Sequence, residues 1–169
     1  MKFIPLNAET VTFYHGTSYE NYLQIKESGV IRHTDYTDFV NKRSANSEKH
    51  FRGNSGYVFL SDSIDKSLSY SFGGYRDTLL DYGEDSAKKS ATAHLSKQKS
   101  EKLRKENIGV IFEFQPKGYN IFYAVAESDF VVDSDIQFTD IGNIRFFYID
   151  NDLQIKEITE QEIEERGIE

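Results

Sequence analysis

The stretch Phe13-Tyr14-His15-Gly16-Thr17 sets the expectations for the rest of the chain. Residues 11–14 are apolar and β-prone, which predicts a strand that carries His15 at its end. A helix is predicted directly afterwards, because Thr17 and Glu20 have the spacing of a capping box, with Thr17 as N-cap. The glycine between them has no Cβ, so a ligand can approach the backbone there. The stretch therefore predicts an imidazole, an open backbone and the positive end of a helix around one cleft.

The remaining pattern predicts an α+β domain with a mixed or antiparallel β-sheet core and a few helices. The first helix should end at Gly29, a residue type favoured just after a helix. A short strand at residues 57–60 should precede a second helix at about residues 64–71. Further strands are predicted at residues 109–114, 120–126, 129–132, 145–149 and 153–158. The acidic tail from Thr159 is either a short helix or a frayed end.

The length of 169 residues is that of a single domain, and we expect one domain over residues 1–169. Residues 31–56 are polar with little periodicity, which predicts a long loop of the kind that forms lids or binding loops. Residues 75–107 are also polar and are predicted to be an insertion. The lysines of this segment either form a solvent-exposed helix face or bind the phosphate backbone of a nucleic acid.

Composition limits the classes of function. The chain has no cysteine, which excludes disulfides and cysteine nucleophiles, and its net charge of −8 disfavours general nucleic-acid or anionic-membrane binding. No apolar run is long enough for a membrane span, and the N-terminal run is too short for a secretory signal. We therefore expect a cytoplasmic protein whose macromolecular partner is a protein rather than nucleic acid. The four histidines lie far apart in sequence, so no metal site is predicted.

Individually, the polar candidates have ordinary explanations. A histidine at a strand end is most often a satisfied hydrogen-bonding group, and Tyr70 on an amphipathic helix is most often part of a core. Glu127 and Asp129 lie two residues apart near a predicted strand, so their carboxylates should face the same side of a sheet. Either these carboxylates are solvent-exposed residues at the start of a strand, or one of them stabilises positive charge that develops in a transition state.

Three motifs in this order change the interpretation. The first is Tyr14-His15-Gly16-Thr17 followed by the helix that ends at Gly29. The second is Gly56-Tyr57-Val58-Phe59-Leu60-Ser61-Asp62 with Lys66-Ser67-Leu68-Ser69-Tyr70, and the third is Asp129-Phe130-Val131-Val132-Asp133. Together they resemble the ADP-ribosyltransferase fold, in the branch with a His–Tyr–Glu constellation that diphtheria-type toxins and poly(ADP-ribose) polymerases share.

The resemblance implies an NAD-dependent enzyme without a metal. Its implied catalytic group comprises His15, Tyr70 and a carboxylate that is either Glu127 or Asp129. The third motif aligns with Asp129, whereas Glu127-x-Asp129 is similar to the Glu/Gln-x-Glu element of arginine- and DNA-modifying branches. We favour Glu127. The residues implied to bind the dinucleotide are His15, Gly16, Thr17, Tyr57, Ser67, Tyr70 and Arg52, with Arg43 and Tyr75 as further candidates.

The expected activity is mono-ADP-ribosylation of a macromolecule, in the manner of a toxin, a phage effector or a defence protein. Two alternatives stay open. One is an NAD-dependent RNA 2′-phosphotransferase, whose fold is related. The other is a catalytically inactive module that binds NAD or ADP-ribose.

Overall fold

The computed structural model describes residues 3–33, 56–72, 103–125, 128–150, 152 and 154–168. Across these ranges the chain forms ten strands and three α-helices. The strands are β1 (Phe3–Leu6), β2 (Phe13–Ser18), β3 (Val30–Ile31), β4 (Val58–Leu60), β5 (Ile108–Phe114), β6 (Ile121–Ala124), β7 (Asp129–Val132), β8 (Ile136–Gln137), β9 (Ile141–Ile149) and β10 (Ile155–Ile158). The helices are α1 (Tyr19–Ser28), α2 (Ile64–Ser71) and α3 (Glu160–Arg166).

The strands form two four-stranded sheets and one two-stranded sheet. The first sheet has the order β1-β6-β7-β4, the second β10-β9-β5-β2, and β3 pairs with β8. Every strand pair recorded in the described ranges is antiparallel. The predicted α+β class is confirmed, and the antiparallel alternative for the sheets is the observed one.

The main core is aromatic and lies on the inner faces of the two larger sheets. Phe112 and Phe114 of β5 are buried there beside Phe13 of β2 and Tyr22 of α1. Their rings meet edge to face or at a tilt, as for Tyr22 and Phe146 at 5.1 Å. This core holds both sheets and α1 in one unit.

A smaller core on the outer face of the second sheet holds α2. Leu68 and Phe72 pack there against Ile111, Phe147 and Ile149. The helix crosses the sheet at Gly16 and Gly109, because a Cβ at either glycine would lie within 3.0 Å of α2 atoms. These glycines allow a helix to lie directly on the strand backbone.

Helix α1 begins one residue later than predicted. Its N-cap is Ser18, whose Oγ accepts the backbone N–H of Asn21 at 3.1 Å, while Thr17 stays in β2. Serine and threonine are both good N-cap residues. Because Thr17 is still paired with β5 as part of β2, the helix begins after Ser18, and Ser18 is the N-cap. The C-terminal prediction is confirmed, since Gly29 has a left-handed φ of 78°.

No strand was predicted at residues 3–6, where the structure forms β1 with Pro5 in it. It lies at the edge of its sheet and pairs only with β6, where a residue without an N–H is tolerated. At the other end of the chain, the helical alternative for the acidic tail is correct. Thr159 and Glu162 form a capping box at the start of α3.

The predicted loop at residues 31–56 and the predicted insertion at residues 75–107 lie mostly outside the described residues. The last residues of that insertion are described and belong to the core. Leu103 is fully buried, and its backbone N–H donates to Gly167 O at 2.9 Å. In the ranges that the structure covers, no helix is long and apolar enough to cross a bilayer.

Candidate functional site

The two larger sheets are hydrogen-bonded to each other where β2 meets the end of β4. Tyr14 and Ser61 exchange two backbone hydrogen bonds of 2.8 Å, as an antiparallel pair does. In a continuous ladder the next such pair would join Gly16 to Phe59. Instead, the carbonyl of Phe59 accepts a hydrogen bond from His15 Nδ1 at 2.8 Å. The strands therefore separate at Gly16, and we call the resulting gap the β2–β4 opening.

His15 presents a hydrogen-bond acceptor at this opening. A carbonyl can only accept, so the bond to Phe59 places the proton on Nδ1 and the lone pair of the neutral ring on Nε2. The half-buried ring stacks on Phe112 with centroids 6.2 Å apart. Burial lowers the pKa of His15, and the hydrogen bond to Phe59 offsets part of that effect. The neutral ring can therefore accept a hydrogen bond from a ligand hydroxyl through Nε2.

Gly16 exposes its peptide groups to the opening. Backbone groups of alternate strand residues face the same edge, so those of Gly16 face the edge that Tyr14 uses, away from β5. The glycine also has a packing role, because a Cβ would lie 2.1 Å from the carbonyl oxygen of Ser67. The sequence suggested ligand access as the reason for this glycine, and the structure adds the approach of α2 as a second.

Helix α2 lines the outer side of the opening with buried hydroxyls. Ser67 Oγ lies 2.8 Å from Ser61 Oγ, and both residues are buried. Lys66 and Tyr70 are four residues apart and share one side of the helix. The ammonium of Lys66 donates to the carbonyl oxygen of Ser128 at 3.2 Å, so this side of α2 faces the turn between β6 and β7.

Asp129 is the carboxylate that the structure places in this region. It is 6% exposed at the start of β7, and the register of β4 against β7 puts Ser61 next to it. Ser128, just before it, has φ 51°, a left-handed conformation that is uncommon outside glycine and that concentrates at functional sites. Asp129 thus directly follows a residue in a left-handed conformation whose carbonyl oxygen accepts a hydrogen bond from Lys66.

The site residues predicted from the sequence lie in different parts of the structure, and some lie outside the described residues. His15 and Gly16 lie at the opening, and Ser67 of α2 packs against Gly16. Tyr70 lies in α2, and Asp129 begins β7. Thr17 follows Gly16 in β2 and is buried. The half-buried ring of Tyr57 stacks on the ring of Phe3 in β1, with the two ring centroids 4.5 Å apart. Glu127, Arg52, Arg43 and Tyr75 lie outside the described residues.

Sequence reasoning missed Ser61 and the carbonyl of Phe59. Both residues belong to the second motif, but the sequence assigned neither of them a role at the site. The serine pair became visible only when the end of β4 and the second turn of α2 were brought together. Their spacing of six residues across a strand–helix turn is the signal that could have suggested it.

Other titratable clusters in the described part of the chain do not suggest a metal centre. No group of three or more His, Asp or Glu side chains lies close enough there to hold an ion. Comparisons with protein-family models, with curated proteins and with solved structures gave no match.

Proposed function

We propose that this chain is an NAD-dependent mono-ADP-ribosyltransferase with an ADP-ribosyltransferase-like fold. The observation that carries the proposal is the β2–β4 opening itself. His15 and Gly16 are neighbours at this opening, and α2 packs against Gly16 through Ser67. These are groups of the first two motifs that resemble the family.

The arrangement suits a ligand with a carboxamide, a ribose and an aromatic ring. The Gly16 peptide offers one donor and one acceptor, which is the complement of a primary amide. The Nε2 of His15 offers an acceptor for a ribose hydroxyl, since its Nδ1 proton is engaged with Phe59. Tyr70 offers an aromatic face for stacking on a nicotinamide ring.

The chemistry requires stabilisation of positive charge. Cleavage of the bond between nicotinamide and ribose develops that charge on the ribose, and a carboxylate placed beside it stabilises the transition state electrostatically. Asp129 is the described candidate for this role, and Glu127 is the neighbouring one. The buried position of Asp129 limits screening by water, which strengthens its field.

We infer that the ADP-ribose acceptor is a protein. The net charge of −8 disfavours a polyanionic acceptor, whose phosphates would be repelled by the chain as a whole. A catalytically inactive NAD-binding module is the second candidate. It is favoured by one observation, namely that the described carboxylate is an aspartate where the resembling motif has a glutamate.

The test is the release of nicotinamide from NAD by the purified protein, with and without cell lysate. We expect release that requires the lysate. One of the two variants Asp129→Asn and Glu127→Gln should lower the rate about 100-fold or more, because it removes the charge that acts in the transition state. His15→Ala and Tyr70→Ala should weaken NAD binding as well as turnover.

Matched controls are His33→Ala and Asp133→Asn, two exposed residues at other strand ends. They should leave the rate unchanged. The carboxylate whose variant loses activity is the catalytic one. If NAD binds but is not cleaved by the parent protein, the inactive module is correct. If NAD does not bind, both candidates are wrong.

A further inference from the structure

The imidazole of His15 takes the place of a backbone donor at the carbonyl of Phe59. The antiparallel pair of Tyr14 and Ser61 sets the register of β2 against β4, and in that register the next hydrogen-bonded pair joins Gly16 to Phe59. The N–H of each of these two residues would then donate to the carbonyl of the other. In the part of the chain that the structure describes, neither bond is formed, and His15 Nδ1 donates to the Phe59 carbonyl at 2.8 Å.

The backbones of both strands are otherwise suited to continue the ladder. Gly16 stays in β2 and pairs with Ile111 of β5, while Phe59 stays in β4 and pairs with Val131 of β7. Because backbone groups of alternate residues face the same edge, the peptide groups of Gly16 and Phe59 face the gap between β2 and β4. The separation therefore forgoes two backbone hydrogen bonds, and another local interaction has to compensate for them.

His15 supplies such an interaction. Its half-buried ring stacks on Phe112, which directs Nδ1 towards β4 from the residue next to Gly16. Side-chain groups that bind backbone groups compete with the regular ladder. Both donors belong to β2 and would approach the same carbonyl oxygen of Phe59. The Nδ1–H of His15 therefore keeps the N–H of Gly16 away from that oxygen.

We propose that His15 is a positioning residue that holds β2 and β4 apart through its Nδ1 hydrogen bond to Phe59. This role goes beyond the proposed function, because it concerns the two strands and applies whether or not the chain binds NAD. It gives the two ring nitrogens separate tasks, since Nδ1 separates the strands and Nε2 remains an acceptor at the opening. Without the Nδ1 donor, Gly16 and Phe59 should pair and the β2–β4 opening should close.

The experiment is amide hydrogen exchange of the full chain, followed by NMR without any ligand. In the parent protein the Gly16 amide should exchange rapidly, whereas those of Tyr14 and Ser61, which join the same strands, should be protected. In His15→Leu the Gly16 amide should exchange about tenfold or more slowly than in the parent, because it gains a backbone partner. A scalar coupling between Gly16 N and the carbonyl carbon of Phe59 should appear in the same variant.

The matched control is His15→Asn. The side-chain nitrogen of asparagine is attached to Cγ, as Nδ1 of histidine is, so it can also donate to the Phe59 carbonyl. This variant should keep the rapid exchange of the Gly16 amide. Protection of the Tyr14 and Ser61 amides serves as the internal reference that the fold and the junction of the strands are intact. If His15→Leu does not fold, His15→Ala takes its place.

Three results would overturn this role of His15. Rapid exchange of the Gly16 amide in folded His15→Leu would show that the close approach of α2, and not the imidazole, separates the strands. Slow exchange of this amide in the parent would show that the strands are paired there. Slow exchange in His15→Asn would show that the ring itself, and not a donor at the Nδ1 position, keeps the strands apart. The release of nicotinamide tests the proposed function separately from all three.

Discussion

Gly16 serves two requirements at a single residue. Its missing side chain lets the backbone of α2 lie against β2, and its peptide groups face the β2–β4 opening. The first requirement is steric and concerns the outer face of the sheet. The second concerns the edge of the strand. A side chain at this position would disturb both, because α2 would have to move away and take Ser67 and Tyr70 with it.

Gly16→Ala should therefore lower the free energy of unfolding by about 1–3 kcal/mol or more, since the new Cβ would lie 2.1 Å from the Ser67 carbonyl oxygen. Urea unfolding measures this change. The control is Gly142→Ala, whose Cβ would lie 3.5 Å from the carbonyl oxygen of Glu113, an ordinary contact. We expect a change within about 0.5 kcal/mol there. Equal losses in the two variants would contradict the close approach of α2.

Helices α1 and α3 are joined by a three-residue polar cluster. The Tyr22 hydroxyl donates to Glu160 Oε1 at 2.9 Å, and the Lys26 ammonium approaches the same oxygen at 2.9 Å. Burial raises the pKa of Tyr22 to about 12, and the hydrogen bond to Glu160 adds to this effect. Because Tyr22 is 1% exposed, its hydroxyl depends on Glu160 rather than on water.

This raised pKa predicts a loss of stability in alkali. The unfolded chain releases the Tyr22 proton near its ordinary value of 10.0, whereas the folded chain holds it up to about 12. The contribution is therefore complete below pH 10 and is lost as the pH rises towards 12. Tyr22→Phe should make urea midpoints at about pH 9 and about pH 11 more alike than in the parent.

Tyr123→Phe is the matched control, since this half-buried tyrosine lies in β6 against Phe130 and away from α3. It should retain the parental difference between the two pH values. An unchanged difference in Tyr22→Phe would show that the alkaline loss arises from other groups.

The whole described molecule depends on contacts between distant parts of the chain. Ile163 of α3 is 1% exposed in the main core, and the backbone of Leu103 pairs with the residues that follow α3. The same core contains residues of both larger sheets. The sheets and the C-terminal helix should therefore unfold in one cooperative transition.

Ile163→Ala tests this cooperativity. We expect it to lower the free energy of unfolding by about 2–5 kcal/mol, because it removes a fully buried side chain. Far-ultraviolet circular dichroism and tyrosine fluorescence should report the same urea midpoint. The control Ile4→Ala, at a residue 41% exposed in β1, should cost far less. A loss of helical signal at an unchanged midpoint for the sheets would mean that α3 unfolds separately.

Prediction from the sequence succeeded where the information is local. The C-terminus of α1 at Gly29 and the start of α2 at Ser63 follow from capping chemistry of single residues. The alternation of apolar residues predicted most strands. The sequence predicted no strand at β1, β3 or β8, and it placed the α1 N-cap one residue too early. Neither edge position nor the length of a strand pairing is a local property.

The sequence by itself determined the α+β class, the C-terminus of α1, the position of α2 and the identity of the polar residues that a site could use. Only the tertiary structure decided that β2 and β4 separate at Gly16, that His15 donates a hydrogen bond to the carbonyl of Phe59, and that the hydroxyls of Ser61 and Ser67 lie 2.8 Å apart. The physical reason is the range of the interactions. Caps and periodicity act over a few residues, whereas His15 and Phe59 are 44 residues apart and meet only after the core has formed.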